Sequence, residues 1–151
     1  MPPVIRRAAV DDAEVVVEFN RLLAEESEGK ALDAAALAPG VRAGLEDPRK
    51  SLYFLAEEGG RVLGQLAVTF EWSDWRNGWF WWIQSVYVRP EARRRGVFRA
   101  LYAHVERLAR EDPEVIGLRL YVENGNHAAQ QTYQRLGMRP AGYFVLEKYP
   151  L

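Results

Sequence analysis

The segment from Val86 to Leu101 constrains this chain more than any other. An apolar strand (Val86, Tyr87, Val88) runs into an arginine-rich turn holding the single glycine Gly96. A helix then opens with Val97 and Leu101 on one face. A helix that begins on such a turn presents backbone N–H groups with no partner inside the helix. Together with the helix dipole they form an anion site. Arg89, Arg93, Arg94, Arg95 and Arg99 surround the turn, so the ligand expected there is a phosphate, and more than one. A basic, solvated helix start is the alternative reading of the same residues.

A second patterned segment runs from Asn126 to Met138. Asn126 suits a helix N-cap. Ala129, Tyr133 and Leu136 fall on one helical face, and Gly137 suits a C-terminal stop. Taken alone, Tyr133 reads as a core aromatic at helical spacing.

The first segment, with Arg93 and Gly96 three apart, resembles the acetyl-CoA-binding turn of the GNAT superfamily of N-acetyltransferases, a strand followed by Q/R-x-x-G-x-G/A. Phe98 stands where the family usually has Gly or Ala. The second segment resembles another signature of that superfamily, N-x-x-A-x-x-x-Y-x-x-x-G, through Asn126, Ala129, Tyr133 and Gly137. The resemblance extends from near Val4 to near Tyr149. It implies an α/β fold: a twisted mixed sheet of six to seven strands with helices on both faces, in one domain over residues 1–151. Periodicity alone gives only a mixture of helices and strands.

The periodicity reads in the order β-α-α-β-β-β-α-β-α-β. Val4 to Arg7 is a first strand. A helix opens at Asp11, with Glu14 as its capping-box partner. A second helix starts near Asp33 and is interrupted at Pro39-Gly40. Strands are expected over 51–57, 62–72 and 79–88, the first two joined as a hairpin through Gly59-Gly60. The helix with Val97, Leu101, Val105 and Leu108 follows, then a strand at Ile116, Leu118 and Leu120. The Asn126 helix comes next, and a last strand or hairpin lies between Met138 and Tyr149.

Composition excludes several classes. With 151 residues, 48% of them hydrophobic, the chain can bury a real core. A formal net charge of −1 disfavours nonspecific nucleic-acid binding. No apolar run reaches the length of a membrane span, and Met1 to Arg7 lacks the apolar core of a signal peptide. No cysteine is present, which excludes disulfides and a cysteine nucleophile and fits a reducing cytoplasm. The two histidines, His104 and His127, are too few for a histidine-rich zinc site, and no metal is expected. Charge is uneven: Asp11 to Asp33 carries eight acids against two bases, and Gln84 to Arg110 carries seven bases against two acids. One region suits a cation and the other an anion, although two solvated helix faces would show the same bias.

The resemblance implies an enzyme that moves an acetyl group from acetyl-CoA to a primary amine, of a small molecule, by direct transfer in a ternary complex. It implies cofactor contacts at Val86, Tyr87 and Val88, through the backbone of a splayed strand, and at Arg93, Arg94, Arg95, Gly96, Val97, Phe98 and Arg99. Asn126 and Tyr133 complete them. Tyr133 matches the family's general acid; a phenol is protonated at neutral pH and can donate to a leaving thiolate. In layout, Thr69 to Val88 is similar to the spermidine/spermine N-acetyltransferase branch, where homodimers are common. That branch has a glutamate base where this chain has Gln84, and an aspartate where it has Ser85, so polyamine specificity does not carry over. Glu71 is the candidate replacement base, with Glu25, Glu26, Asp74 or water as alternatives. All five tryptophans lie between Trp72 and Trp82. Trp72 and Trp75 are candidates, with Glu25, Glu26, Asp74 and Gln84, to line an acceptor pocket, since aromatic faces attract cations. A dense core or a dimer contact would need the same residues. A non-catalytic acyl-CoA sensor, a protein lysine or N-terminal acetyltransferase, and a nucleic-acid binder are the competing functions.

Overall fold

The structure of the protein, a computed structural model, describes residues 2–151. These fall into two compact units that divide between Leu120 and Tyr121. The first unit is one five-stranded sheet in sequential order: β1 (Val4–Arg7), β2 (Leu52–Glu58), β3 (Arg61–Ser73), β4 (Gly78–Val88) and β5 (Val115–Leu120). Neighbours are antiparallel except β4 and β5, which are parallel and are joined by the helix α3 (Val97–Glu111).

Two further helices, α1 (Ala13–Glu28) and α2 (Ala34–Glu46), link β1 to β2. Successive strand residues point to opposite faces. Gly64 of β3 lies close to Val97 of α3, whereas its neighbour Gln65 hydrogen-bonds Asn20 of α1. Thus α1 covers one face of the sheet and α3 the other. Val16 and Phe19 seal the first interface, and Leu101 and Val105 the second; all four are fully buried. Each such side chain contributes roughly 1.5–3 kcal/mol by leaving water.

Capping departs from expectation by a short register shift. A 3₁₀ turn (Val10–Asp12) precedes α1, and Asp12 rather than Glu14 accepts the upstream amide, that of Ala9, at 2.8 Å. Both Asp12 oxygens also accept from Arg6 (2.9 and 2.7 Å), which pairs with Glu57 at 2.9 Å. One guanidinium therefore ties β1 to β2 and to the start of α1. The second helix is not interrupted at Pro39-Gly40. It runs through Pro39 because that residue faces solvent, while Asp33 caps the start through Ala35 N–H and Val41 and Gly44 bury the other side.

The second unit holds α4 (His127–Arg135). Asn126 Oδ1 accepts from Ala129 N–H at 3.1 Å, and Gln130 Nε2 donates to the carbonyls of Glu123 and Asn124. Gly137 follows at φ +90°. The strand or hairpin expected between Met138 and Tyr149 does not form, so the sheet has five strands among the described residues rather than six or seven. A strand needs a neighbour for its backbone groups, and no ladder reaches this segment. Apolar content alone did not make it one.

The Arg6–Asp12–Glu57 cluster yields a test. Hydrogen bonds from Arg6 hold the Asp12 carboxyl below its ordinary range. A depressed folded-state value contributes stability that is full above the unfolded pKa and is lost as pH falls through the folded one. Asp12→Asn should lower unfolding free energy at pH 7 by about 1–2 kcal/mol. In urea titrations the difference from the parent should shrink as the solution is acidified below about pH 4; a constant difference would remove the ion pair as its cause.

Candidate cofactor and acceptor site

The site begins where β4 changes partners. Gln65 of β3 pairs with Tyr87 and Ala67 with Gln84, so Ser85 and Val86 together oppose Leu66. This is a β-bulge with the extra residue on β4. Ser85 takes a left-handed conformation, φ +51°, uncommon for a residue with a side chain. The bulge is held from beneath: Gln65, fully buried, donates Nε2 to the Ser85 carbonyl at 3.0 Å and to Asn20 Oδ1 at 3.2 Å. On the other side of β4, pairing with β5 ends at Ile83–Leu120. From Gln84 to Val88 the strand therefore has no parallel ladder on that edge. Val86 and Val88 lie on this stretch, where the family resemblance implies a splayed strand.

Beyond Val88 a 3₁₀ turn (Pro90–Ala92) leads into the arginine turn. Arg94 has φ +65° and Gly96 φ +80°, so two left-handed residues bend the chain into the start of α3. At Gly96 nothing lies within 4 Å of an added Cβ; glycine is favoured there by conformation, not by space. Gly64 is the opposite case. A Cβ on it would meet the Tyr87 carbonyl at 2.8 Å and Val97 at 3.2 Å, so its bareness lets the turn sit down on β3.

No side chain caps α3. The amides of Arg94, Arg95, Gly96 and Val97 have no partner among the described residues. Four such donors in sequence stand at the positive end of a 15-residue helix, a setting that favours an anion. Arg94 and Arg99 stand exposed beside these amides.

The five arginines divide into three kinds. Arg89 is structural: its Nε donates to the Val62 carbonyl at 2.7 Å, and its guanidinium lies 4.8 Å from the Phe19 ring centre. Arg93 and Arg95 are held by acids from other elements. Glu26 of α1 takes Arg93 at 2.6 Å, and Glu58 of β2 takes Arg95 at 3.0 and 3.1 Å. Arg94 and Arg99 are exposed and form no ion pair among the described residues. Phe98 is half-buried, its ring centre 6.1 Å from that of Tyr102 on the same helix.

Several expected acceptor residues gather elsewhere. Glu71, Trp72, Asp74 and Trp75 lie at the far tip of the β3–β4 hairpin, with Glu71 opposite Phe80. Phe80 and Ser85 are five residue steps apart along the strand, about 17 Å at 3.3 Å each. The Glu71 carboxylate accepts from Trp82 Nε1 at 2.9 Å and from Arg119 at 3.0 Å, and these partners hold its pKa below the ordinary range. Trp72 packs edge-on against Trp79, Trp75 is 83% exposed, and Asp74 accepts the Trp75 amide. Gln84 Nε2 donates to Thr69 at 3.1 Å. Glu25 pairs with Arg21 along α1.

Glu26 alone of the candidate acids reaches the phosphate turn. It also accepts from the Tyr87 hydroxyl at 3.3 Å, and burial together with the Glu26 charge pushes the Tyr87 phenol up. In the second unit, Asn126 caps α4 and Tyr133 lies on its half-buried side; burial raises the Tyr133 pKa. Gly64, Gln65, Asn20 and Glu58 were not singled out in the sequence. A lone glycine and a lone glutamine inside the apolar run from Leu63 to Val68 were the available signals.

Residues 16–138 match the sequence pattern of the acetyltransferase (GNAT) family. The crystal structure of a possible acetyltransferase from Clostridium difficile 630 is similar over 100% of this chain and 99% of that one, with 42% identity and a TM-score of 0.93. A predicted acetyltransferase from Clostridium acetobutylicum, solved with acetyl-CoA, is 18% identical with a TM-score of 0.80, covering 96% of this chain and 95% of that one. An aminoglycoside acetyltransferase from an uncultured soil metagenomic sample, in complex with sisomicin, is 15% identical with a TM-score of 0.77, covering 98% and 95%. The last two likenesses concern the fold alone. No protein of curated function matches the chain. The bulged strand, the uncapped arginine turn and the family match lead to one assignment: the chain belongs to the GNAT acetyltransferase family, N-acetyltransferases that use acetyl-CoA.

Proposed function

We propose that this enzyme acetylates a primary amine of a small molecule, by direct transfer within a ternary complex. The observation that carries the proposal is the row of four unpartnered amides at the start of α3, beside the open edge of β4. Acetyl-CoA, when bound, supplies a thioester whose acyl carbon accepts the amine. The protein's part is to hold, orient and move protons. The amides of Arg94 to Val97 and the side chains of Arg94 and Arg99 hold the diphosphate. The backbone at Val86 and Val88 orients the pantetheine arm, and an amide there aids the carbonyl by hydrogen bonding. By the same family resemblance, Phe98 and Asn126 are each assigned a cofactor contact.

Tyr133 donates the proton that the departing sulfur needs. Its raised pKa keeps the hydroxyl protonated at neutral pH. Glu71 is a different case. Its ion pair with Arg119 and its offset along the hairpin support a structural role, so the amine's proton passes to water. An acceptor of low pKa needs no protein base.

The acceptor class rests on the acids of α1 and on the sisomicin complex of a protein with this fold. The homodimer and the cytoplasmic location are carried by the branch resemblance and by a chain without cysteine.

Three outcomes test the proposal. CoA release from acetyl-CoA, followed with a thiol reagent, should depend on one class within a panel of diamines, aminoglycosides, amino acids and lysine peptides. Every enzyme-dependent thiol signal comes from CoA, because the protein has none. Release with lysine peptides alone would move the acceptor to proteins, and CoA binding without release would favour a sensor. Gly96→Glu should abolish CoA binding through its strained φ and its charge, while Gly96→Asn, which tolerates left-handed backbone, should retain it; calorimetry on folded variants decides. Tyr133→Phe should lower kcat by about 10²-fold or more, with CoA affinity unchanged; an unaltered rate would remove Tyr133 as the acid.

A further inference from the structure

We propose that Glu26 is a coupling residue: it competes with the cofactor's diphosphate for Arg93 and, once displaced, offers its carboxylate to the acceptor's ammonium. This rests on the phosphate-turn reading above. Arg93 belongs to the turn, yet its Nη2 is given to Glu26 at 2.6 Å and its Nε to the Val88 carbonyl at 2.9 Å. That carbonyl lies on the strand that orients the pantetheine arm. The guanidinium also lies 5.5 Å from the Tyr87 ring centre. Arg93 is thus poised over the open end of β4 by an acid from α1. One nitrogen cannot serve a carboxylate and a phosphate at full strength together.

The exchange is inexpensive. Both side chains are more than two-fifths exposed, and an ion pair in such a setting is worth at most about 1 kcal/mol. A diphosphate, carrying more charge and backed by the α3 dipole, outcompetes it. Glu26 does not then swing free, because the Tyr87 hydroxyl still holds Oε1. The result is a tethered carboxylate with its cation removed, beside the strand where the thioester is oriented. An ammonium is the group that restores its charge balance.

Linkage makes the effect mutual. An amine that pairs with Glu26 releases Arg93, so amine and cofactor each raise the other's affinity by the same factor. None of the other candidate acids can do this. Glu25 is committed to Arg21, Asp74 to its own turn, and Glu71 to Arg119.

The test is a double-mutant cycle read by calorimetric CoA affinity in the full chain. Glu26→Gln should tighten CoA binding about two- to fivefold. Glu28→Gln removes the same charge two residues along α1 and should leave affinity unchanged. In an Arg93→Gln background, Glu26→Gln should have no effect. Unchanged or weakened binding in Glu26→Gln overturns the coupling, and so does tightening that survives in the Arg93→Gln background, which would be a field effect. A parent protein that binds no CoA overturns the phosphate turn and the coupling with it, whereas a parent that binds CoA with an inert Glu26 overturns the coupling alone.

Discussion

The buried amide of Gln65 is the contact on which the rest of the site depends. A glutamine at the centre of an apolar strand is out of place unless its polar atoms are used. Here Nε2 holds the carbonyl of Ser85, the residue that turns β4 out of register, and anchors it to Asn20 of α1. The bulge is fixed at Ser85, two residues beyond the last pair of β4 with β5, at Ile83. The same strand then delivers the chain to Arg89 and the turn. Gly64, one residue before Gln65, lets that turn approach the sheet. Two adjacent residues of β3, pointing to opposite faces, thus set the bulge of β4 and the seat of the arginine turn.

Charge around the site is balanced pair by pair rather than pooled. Of the turn's arginines, Arg93 is met by Glu26 from α1 and Arg95 by Glu58 from β2, while the nearby Glu91 pairs with Arg61 of β3. The backbone amides keep no such partner. Side-chain cations in exchangeable pairs surround a fixed core of donors whose direction is set by the helix.

Local chemistry was legible in the sequence wherever one residue type determines the outcome. Gly96 at the turn, Asn126 and Asp33 at helix starts, and the apolar stripe of α3 all behave as their types require. What depended on neighbours was not. The segment from Met138 to Tyr149 carries strand-like residues but has no ladder to join. Pro39 stays within a helix because its ring meets solvent. Glu71 looked available as a base because its spacing is visible in the sequence, whereas the cation that holds it, Arg119, comes from a strand 48 residues away. Glu26 was visible only as one acid among many on α1; its contact with Arg93 joins residues 67 apart. Long-range pairing decides which of several similar side chains matters, and periodicity carries no record of it.

The bulge also has a consequence for the protein's resilience. Ser85 is kept in a backbone region that a residue with a side chain enters at a cost of about 1 kcal/mol or more. The Oε1 of Gln65 beneath it is buried without a partner among the described residues, a further penalty of roughly 1–3 kcal/mol. Both burdens fall at the point where the cofactor strand is shaped. Selection for thermal endurance alone would press on this spot, most simply by trading the serine for glycine. A hardier descendant found that way would keep its fold and lose the fixed bend that aims Val86.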